Sequence, residues 1–320
     1  VTGGLGLIGH NVVHRLEKQG HSVVIIDNET TYGIIPKNEL AYLLSERKRK
    51  INTSKIITAD ITDWYDVSRI MKENDFDCVI HMASFPRQKV VNANPMIGSR
   101  VMVEGLINLL EAAHLNYVKK FIYISSSMVY GDFNHCIKEN ERCNPIGQYG
   151  IMKLAGEDLV KDYHRRGCFD YTIIRPSAVY GPLDVEDRVI SKFMLTALRG
   201  GELVVRGKEE MLDFTYVDDA ADGIVAAALS EQSNNKTYNI TKGASTTLLQ
   251  AAQLAISIVG KGSIKVEDKD QDFPSRAALD ITAARQDFGY DPKTDVEQGF
   301  IEYYNWFKSS PYWLKQLSNI

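Results

Sequence analysis

The chain has 320 residues, 44% of them hydrophobic and 24% charged, and a net charge of −4. That balance is expected of a soluble globular protein with room for one large domain or two smaller ones. No long basic block points to nucleic acid, and no apolar run reaches the ~18 residues of a membrane span.

Thr2-Gly3-Gly4-Leu5-Gly6-Leu7-Ile8-Gly9 places glycines at 3, 6 and 9, where a helix over residues 9–19 begins. Glycine permits the tight turn and close approach of a pyrophosphate, and the helix start at Leu7, Ile8 and Gly9 offers free N–H groups. Such a turn follows a strand. Only Val1 of that strand is present, so its remainder, with the true N-terminus, is expected to precede this sequence.

Apolar strands are expected at 21–27, 54–59, 77–83, 119–125 and 171–175, with helices at 66–74, 95–114 and 149–165 between them. Leu40, Leu43 and Leu44 mark a further amphipathic helix, closed by Arg47-Lys48-Arg49-Lys50, which reads as a solvated face. The near-continuous apolar strands and their alternation with helices predict a doubly wound parallel α/β sheet. After Pro182 the rhythm changes to a helix at 189–198, a strand at 203–205 and a strand-turn-helix at 214–229. The expected division is a nucleotide-binding domain over 1–178, with a returning segment at about 213–242, and a smaller α/β lobe over 179–320.

Cys78, Cys136, Cys143 and Cys168 show no C-x-x-C spacing. They read as reduced thiols of a cytoplasmic protein, and no metal site is expected.

Asp27 ends a strand 18 residues after Gly9. A carboxylate there can accept both ribose hydroxyls of a dinucleotide and would repel a 2′-phosphate. Asn28, Glu29 and Thr30 follow, none of them basic, so NAD is favoured over NADP. Asp60 and Ile61 end the next strand, where Asp60 could receive the adenine amino group. Met82, Ala83 and Ser84 end the fourth, where small residues would let the cofactor cross the sheet edge. Tyr149 and Lys153 stand four apart on a helix and share one face. The ammonium can lower the phenol pKa, giving an acid/base near neutrality.

With these pieces in place, the chain resembles the extended short-chain dehydrogenase/reductase family, and within it the nucleotide-sugar epimerases and dehydratases. The matching segments are TGGLGLIG, Asp27, HMAS at 81–84, SSSMVYG at 125–131, YGIMK at 149–153, RPSAVYGP at 175–182, DFTYVDDAADG at 213–223 and RAALDITAARQDFGYDP at 276–292. The resemblance implies a Rossmann-type domain, a smaller nucleotide-sugar lobe, bound NAD and a homodimer through the helices at 95–114 and 149–165. It implies Tyr149 as the catalytic acid/base, Lys153 on the nicotinamide ribose, Ser126 as the serine that relays the sugar proton, and Pro176 beside the cofactor. Arg276 matches an arginine that pairs with a substrate diphosphate. Arg188-Val189 and Val205-Arg206 fall where relatives hold the nucleotide. Ser127 flanks Ser126 on the substrate side, and Arg87 and Lys89 could reach a phosphate or a sugar carboxylate.

The residues after Ser126 separate the reactions. The family's 4,6-dehydratases need an Asp-Glu pair where this chain has Ser127-Met128, and its decarboxylases carry a Glu in place of Met128. Cys136 and Cys143 lie too far along to match the 3,5-epimerizing members. What remains is an epimerase, expected to act at C4 through a transient 4-keto sugar. Ala178, Leu212, Met102 and Leu106 depart from frequent family residues and leave the substrate open. Another nucleotide-sugar oxidoreductase (dehydratase, decarboxylase or reductase) and a non-catalytic NAD-binding scaffold stand as alternatives.

Overall fold

The computed structural model describes residues 1–85, 87–271 and 273–318. A parallel sheet forms its centre. The strands run Lys55–Thr58, Val24–Asp27, the single residue Thr2, Cys78–His81, Lys120–Ile124, Asp170–Pro176 and Lys236–Ile240. Thr2 bridges Ile26 on one side and His81 on the other, with bonds from Thr2 N to Ile80 O at 3.0 Å and Gly3 N to Ile26 O at 2.8 Å. The strand order therefore reverses at Thr2, which is where open α/β sheets bind ligands.

Strand periodicity sends alternate residues to opposite faces. Ile25, Ile80, Ile122, Ile124 and Ile174 face a core shared with Val12, Val13, Ala221 and Ile224. Ile26, Val79, Phe121, Tyr123 and Ile173 face the other, with Val67, Leu106, Leu109, Val160 and Tyr163. Each apolar run is thus buried twice, as a two-sided sheet requires. Helix Leu7–Lys18 packs on helix Val217–Leu229, and Arg15 bonds Asp218 at 2.8 Å and also pairs with Asp222.

The smaller lobe has its own core of Ile190, Phe193, Met194, Leu203, Val205, Phe214, Ala251, Phe300 and Trp313. Its short strands pair Val179–Tyr180 with Thr215–Tyr216, Glu202–Arg206 with Ser263–Glu267, and Met211–Leu212 with Thr246–Thr247. Helices Val189–Leu198, Leu248–Val259 and Val296–Ser309 cover them. Among the described residues, no helix is long and apolar enough to cross a membrane.

Two local features depart from the sequence expectation. The single helix expected over 95–114 is Pro95–Ser99, a widened π-helical turn Arg100–Glu104, and Gly105–Leu115. It passes so close to the neighbouring strand end that a Cβ on Gly105 would lie 2.7 Å from Ile61 Cγ1. A short helix Gln88–Ala93, capped by Arg87 at φ +85°, was not expected.

Candidate active site

A cleft of about 980 Å³ lies between the carboxyl ends of the large sheet's strands and the smaller lobe. Its size is ample for a ligand site. The glycine turn opens one end. Gly3 has φ +67°, and a Cβ on it would lie 2.6 Å from Ala83 N. A Cβ on Gly9 would lie 2.2 Å from Gly3 O. Both glycines are thus required by close backbone packing. Gly6 caps the following helix without a side-chain bond, so the amides of Leu7, Ile8 and Gly9 remain available to an anion.

Asp27 lies on the same wall. It accepts from Leu5 N at 2.9 Å and Glu29 N at 2.8 Å. Burial pushes its carboxyl above the ordinary range, and these two bonds act against that. Asn28, Ile61, Met82, Ala83, Ser84 and Pro176 also line the cleft, and the buried Ser84 Oγ has no partner. The cradle, the free amides, the carboxylate and the unsatisfied hydroxyl together fit a dinucleotide.

Asp60 is not on the cleft wall, although its neighbours Ala59 and Ile61 are. Its carboxylate turns to Thr62 N and Oγ1 at 2.9 and 2.8 Å and to Asn28 Nδ2 at 3.0 Å. These bonds outweigh burial and hold it below its ordinary value. The adenine contact expected of Asp60 has no support in this arrangement.

The serine cluster at the end of strand Lys120–Ile124 resolves into three separate environments. Ser125 is buried and donates to Glu157 at 2.6 Å. Ser126 faces the Tyr149 hydroxyl and helps to pull its phenol down, while its Oγ accepts from Met128 N at 3.2 Å. Ser127 accepts from Arg276 Nη1 at 3.4 Å. Tyr149 and Lys153 lie on helix Gln148–Arg165 and both line the cleft. The Lys153 ammonium donates to Ile124 O at 2.7 Å and stands 6.0 Å from the Tyr149 ring centre. Burial pushes Lys153 down to about 7, with Glu157 acting against it. Burial raises the Tyr149 phenol, and Arg188, the Ser126 hydroxyl and Arg276 pull it back. The cations acting on the phenol are therefore the two arginines rather than the lysine expected to lower it.

On the smaller-lobe side, Arg276 has burial pushing it down to about 10, and its Nε is buried without a partner. Arg188 is exposed at the cap of helix Val189–Leu198 and lines the cleft with Val189. Arg87 donates to Asp187 O at 3.1 Å and pairs with the Asp187 carboxylate, so it bridges the two lobes. Lys89 pairs with Asp270 at 2.8 Å. Arg206 lines the cleft and pairs with Glu267 at 3.2 Å. Val205 does not line it. Strand Glu202–Arg206 alternates exposed and buried residues, which sends Val205 into the lobe core and Arg206 outward.

Arg47 and Ser177 are among the cleft residues that were not expected. Arg47 is not part of a solvated face: it is 5% exposed and donates to Leu5 O at 3.0 Å and Leu183 O at 2.6 Å. Ser177 is buried on the cleft wall with an unpartnered Oγ. Its one available signal was its position directly after Pro176. Among the described residues, no three His, Cys, Asp or Glu side chains are grouped to hold a metal ion.

The sequence model of the NAD dependent epimerase/dehydratase family matches residues 1–241. The chain is 30% identical over 318 residues to a putative UDP-glucose 4-epimerase of Methanocaldococcus jannaschii, covering 97% of this chain and 98% of that one. It is 28% identical over 336 residues to UDP-glucuronate 4-epimerase 1 of Arabidopsis thaliana, covering 97% and 76%. Among solved structures it is similar to the UDP-glucuronic acid 4-epimerase of Bacillus cereus in complex with UDP-glucuronic acid and NAD. That likeness has a TM-score of 0.88 at 27% identity, over 96% of this chain and 98% of that one. With a glycine-turn cradle, a parallel sheet reversing at Thr2 and a match over three quarters of its length, the chain belongs to the NAD dependent epimerase/dehydratase family.

Proposed function

We propose that the protein is a 4-epimerase of nucleoside-diphosphate sugars, with Tyr149, Ser126 and Lys153 as its catalytic groups. The observation that carries this reading is the Tyr149–Ser126 hydroxyl pair in the cleft, followed by Met128 where an acid would be needed for other chemistry. A thioether cannot give or take a proton, so dehydration and decarboxylation lack a group that epimerisation does not require. The likeness to two 4-epimerases supports the same choice.

Bound NAD supplies reversible oxidation at the sugar carbon. Leu7, Ile8 and Gly9 would hold its pyrophosphate and Asp27 a ribose. Ser126 holds the sugar hydroxyl, and Tyr149 takes its proton and later returns it to the same oxygen, once the keto sugar has turned to take its hydride back on the opposite face. Lys153 presents a buried ammonium beside them. Arg276 and Arg188 supply the positive charge for a diphosphate.

The exposed apolar side chains Met96, Ile97, Ile107 and Ile151 lie on the adjacent helices Pro95–Ser99, Gly105–Leu115 and Gln148–Arg165. A second copy of this chain would cover them in a two-fold dimer. Four free thiols support a reducing, cytoplasmic setting. The test is incubation with a panel of nucleotide sugars and chromatography of the products. A C4 epimer formed without net reduction of NAD supports the reading. Stoichiometric reduction of NAD, or loss of water or carbon dioxide from the sugar, overturns it.

A further inference from the structure

The helix face that carries Tyr149 and Lys153 continues one turn further into Glu157, which is fully buried. These three residues are spaced four apart and share a side of the helix. Each contacts the end of strand Lys120–Ile124. The Tyr149 hydroxyl faces Ser126, Lys153 donates to Ile124 O at 2.7 Å, and the Ser125 hydroxyl donates to Glu157 at 2.6 Å. Glu157 also accepts from Arg175 Nε at 2.9 Å and Nη2 at 2.6 Å. Arg175 directly precedes Pro176 on the next strand. One carboxylate therefore ties together the helix bearing Tyr149, the strand end bearing Ser126 and the strand end bearing Pro176. The proton path described above does not use it.

We infer that Glu157 is a positioning residue for the reaction. It fixes Ser126 against Tyr149, and it supplies the negative charge that stands behind the Lys153 ammonium. This rests on the reading of Tyr149 and Lys153 as the catalytic pair.

The surroundings of the two groups support a charge role as well as a steric one. Lys153 faces the Ile124 carbonyl, the Tyr123 ring at 5.2 Å, the Tyr149 ring at 6.0 Å and the His81 imidazole. Burial pushes His81 down to about 3, so it is neutral near pH 7 and offers no anion. Glu157 is the anion acting on Lys153. Glu157 itself faces Ser125, Arg175, Lys161 at 3.7 Å, Tyr123, Tyr171 and Cys143. Arg175 offsets part of its charge, yet the spacing on one helix keeps Glu157 next to Lys153.

The test is Glu157→Gln, which keeps the shape and removes the charge. Loss of the anion favours the neutral amine. The limb of the kcat–pH profile on which activity falls with rising pH should therefore move down by about one unit. At neutral pH kcat should fall by ~10-fold or more while the KM for nucleotide sugar stays within about threefold. Glu157→Asp, which keeps the charge, should hold the wild-type limb at reduced kcat. An unmoved limb in Glu157→Gln, with activity full or uniformly lowered, overturns the inference. Where the lone Arg175 charge prevents folding, Glu157→Gln/Arg175→Gln decides. A smaller shift of the same sign supports the inference, and none overturns it. Tyr149→Phe separates the two readings. If that variant is active the catalytic assignment itself is wrong, whereas if it is dead and the Glu157→Gln limb is fixed, only Glu157 is misassigned.

Discussion

The ammonium of Lys153 is held by the carbonyl oxygen of Ile124, 2.7 Å away, across the junction of helix and strand. Among the described residues Ile124 O is its one protein acceptor, and burial pushes Lys153 from 10.5 to about 7. The unfolded chain keeps that proton up to about pH 10.5, and the folded chain only to about 7. Between those values the unfolded state binds more protons, so this group makes stability rise with pH. Below about pH 7 its full destabilising cost is present. Lys153→Met removes the cost. Without added dinucleotide, its melting temperature should exceed wild type at about pH 6 and lose most of that margin by about pH 10. Equal margins at both values would show that the lysine is not buried as a cation.

Tyr149→Phe deletes the hydroxyl that faces Ser126 and leaves the ring, which packs beside the core of the large sheet. Turnover should drop by ~10²–10⁴-fold, the usual contribution of a positioned acid/base. The thermal transition should stay near that of wild type. Steady-state kinetics together with calorimetry checks both halves of this expectation.

Asp27 serves the glycine turn through Leu5 N and the following loop through Glu29 N. Asp27→Ala should weaken NAD by roughly 10–100-fold, the equivalent of one or two charge-assisted hydrogen bonds. NADP should lose less, because the carboxylate that repels a 2′-phosphate is also gone. Equilibrium titration with the two dinucleotides measures the ratio, and a parallel loss for both would remove the ribose assignment.

Ile107 and Ile151 are 40% and 52% exposed on neighbouring helices. Ile107→Glu/Ile151→Glu places charges on the proposed contact between copies. Sedimentation should find a dimer for the wild type and a monomer for the variant, with the melting transition lowered in step. A wild-type monomer at micromolar concentration excludes the contact.

Much of the fold is legible in the chain because the pattern is local. Val79-Ile80 and Phe121-Ile122-Tyr123-Ile124 are uninterrupted apolar runs, and such runs are buried on both faces. The helix Val189–Leu198 has the bounds that its apolar periodicity suggests. What escaped depends on distance or on small backbone changes. Arg47 sits in a basic run that looks solvated. Its burial is made by carbonyls 42 and 136 residues away, which no window of sequence contains. The π turn at Arg100–Glu104 leaves the helical composition unchanged. Asp60 lies two residues past the end of strand Lys55–Thr58, and Thr62, two residues on, claims its carboxylate through a local turn. Val205 was readable after all, since Leu203 and Val205 are the inward pair of a short alternating strand.

Arg47 grips Leu5 in the glycine turn and Leu183 at the entrance of the smaller lobe. The glycine turn and the edge of the smaller lobe thus hang on one shared pin. A side chain at 47 unable to donate to both carbonyls would leave Leu5 O and Leu183 O without that partner together.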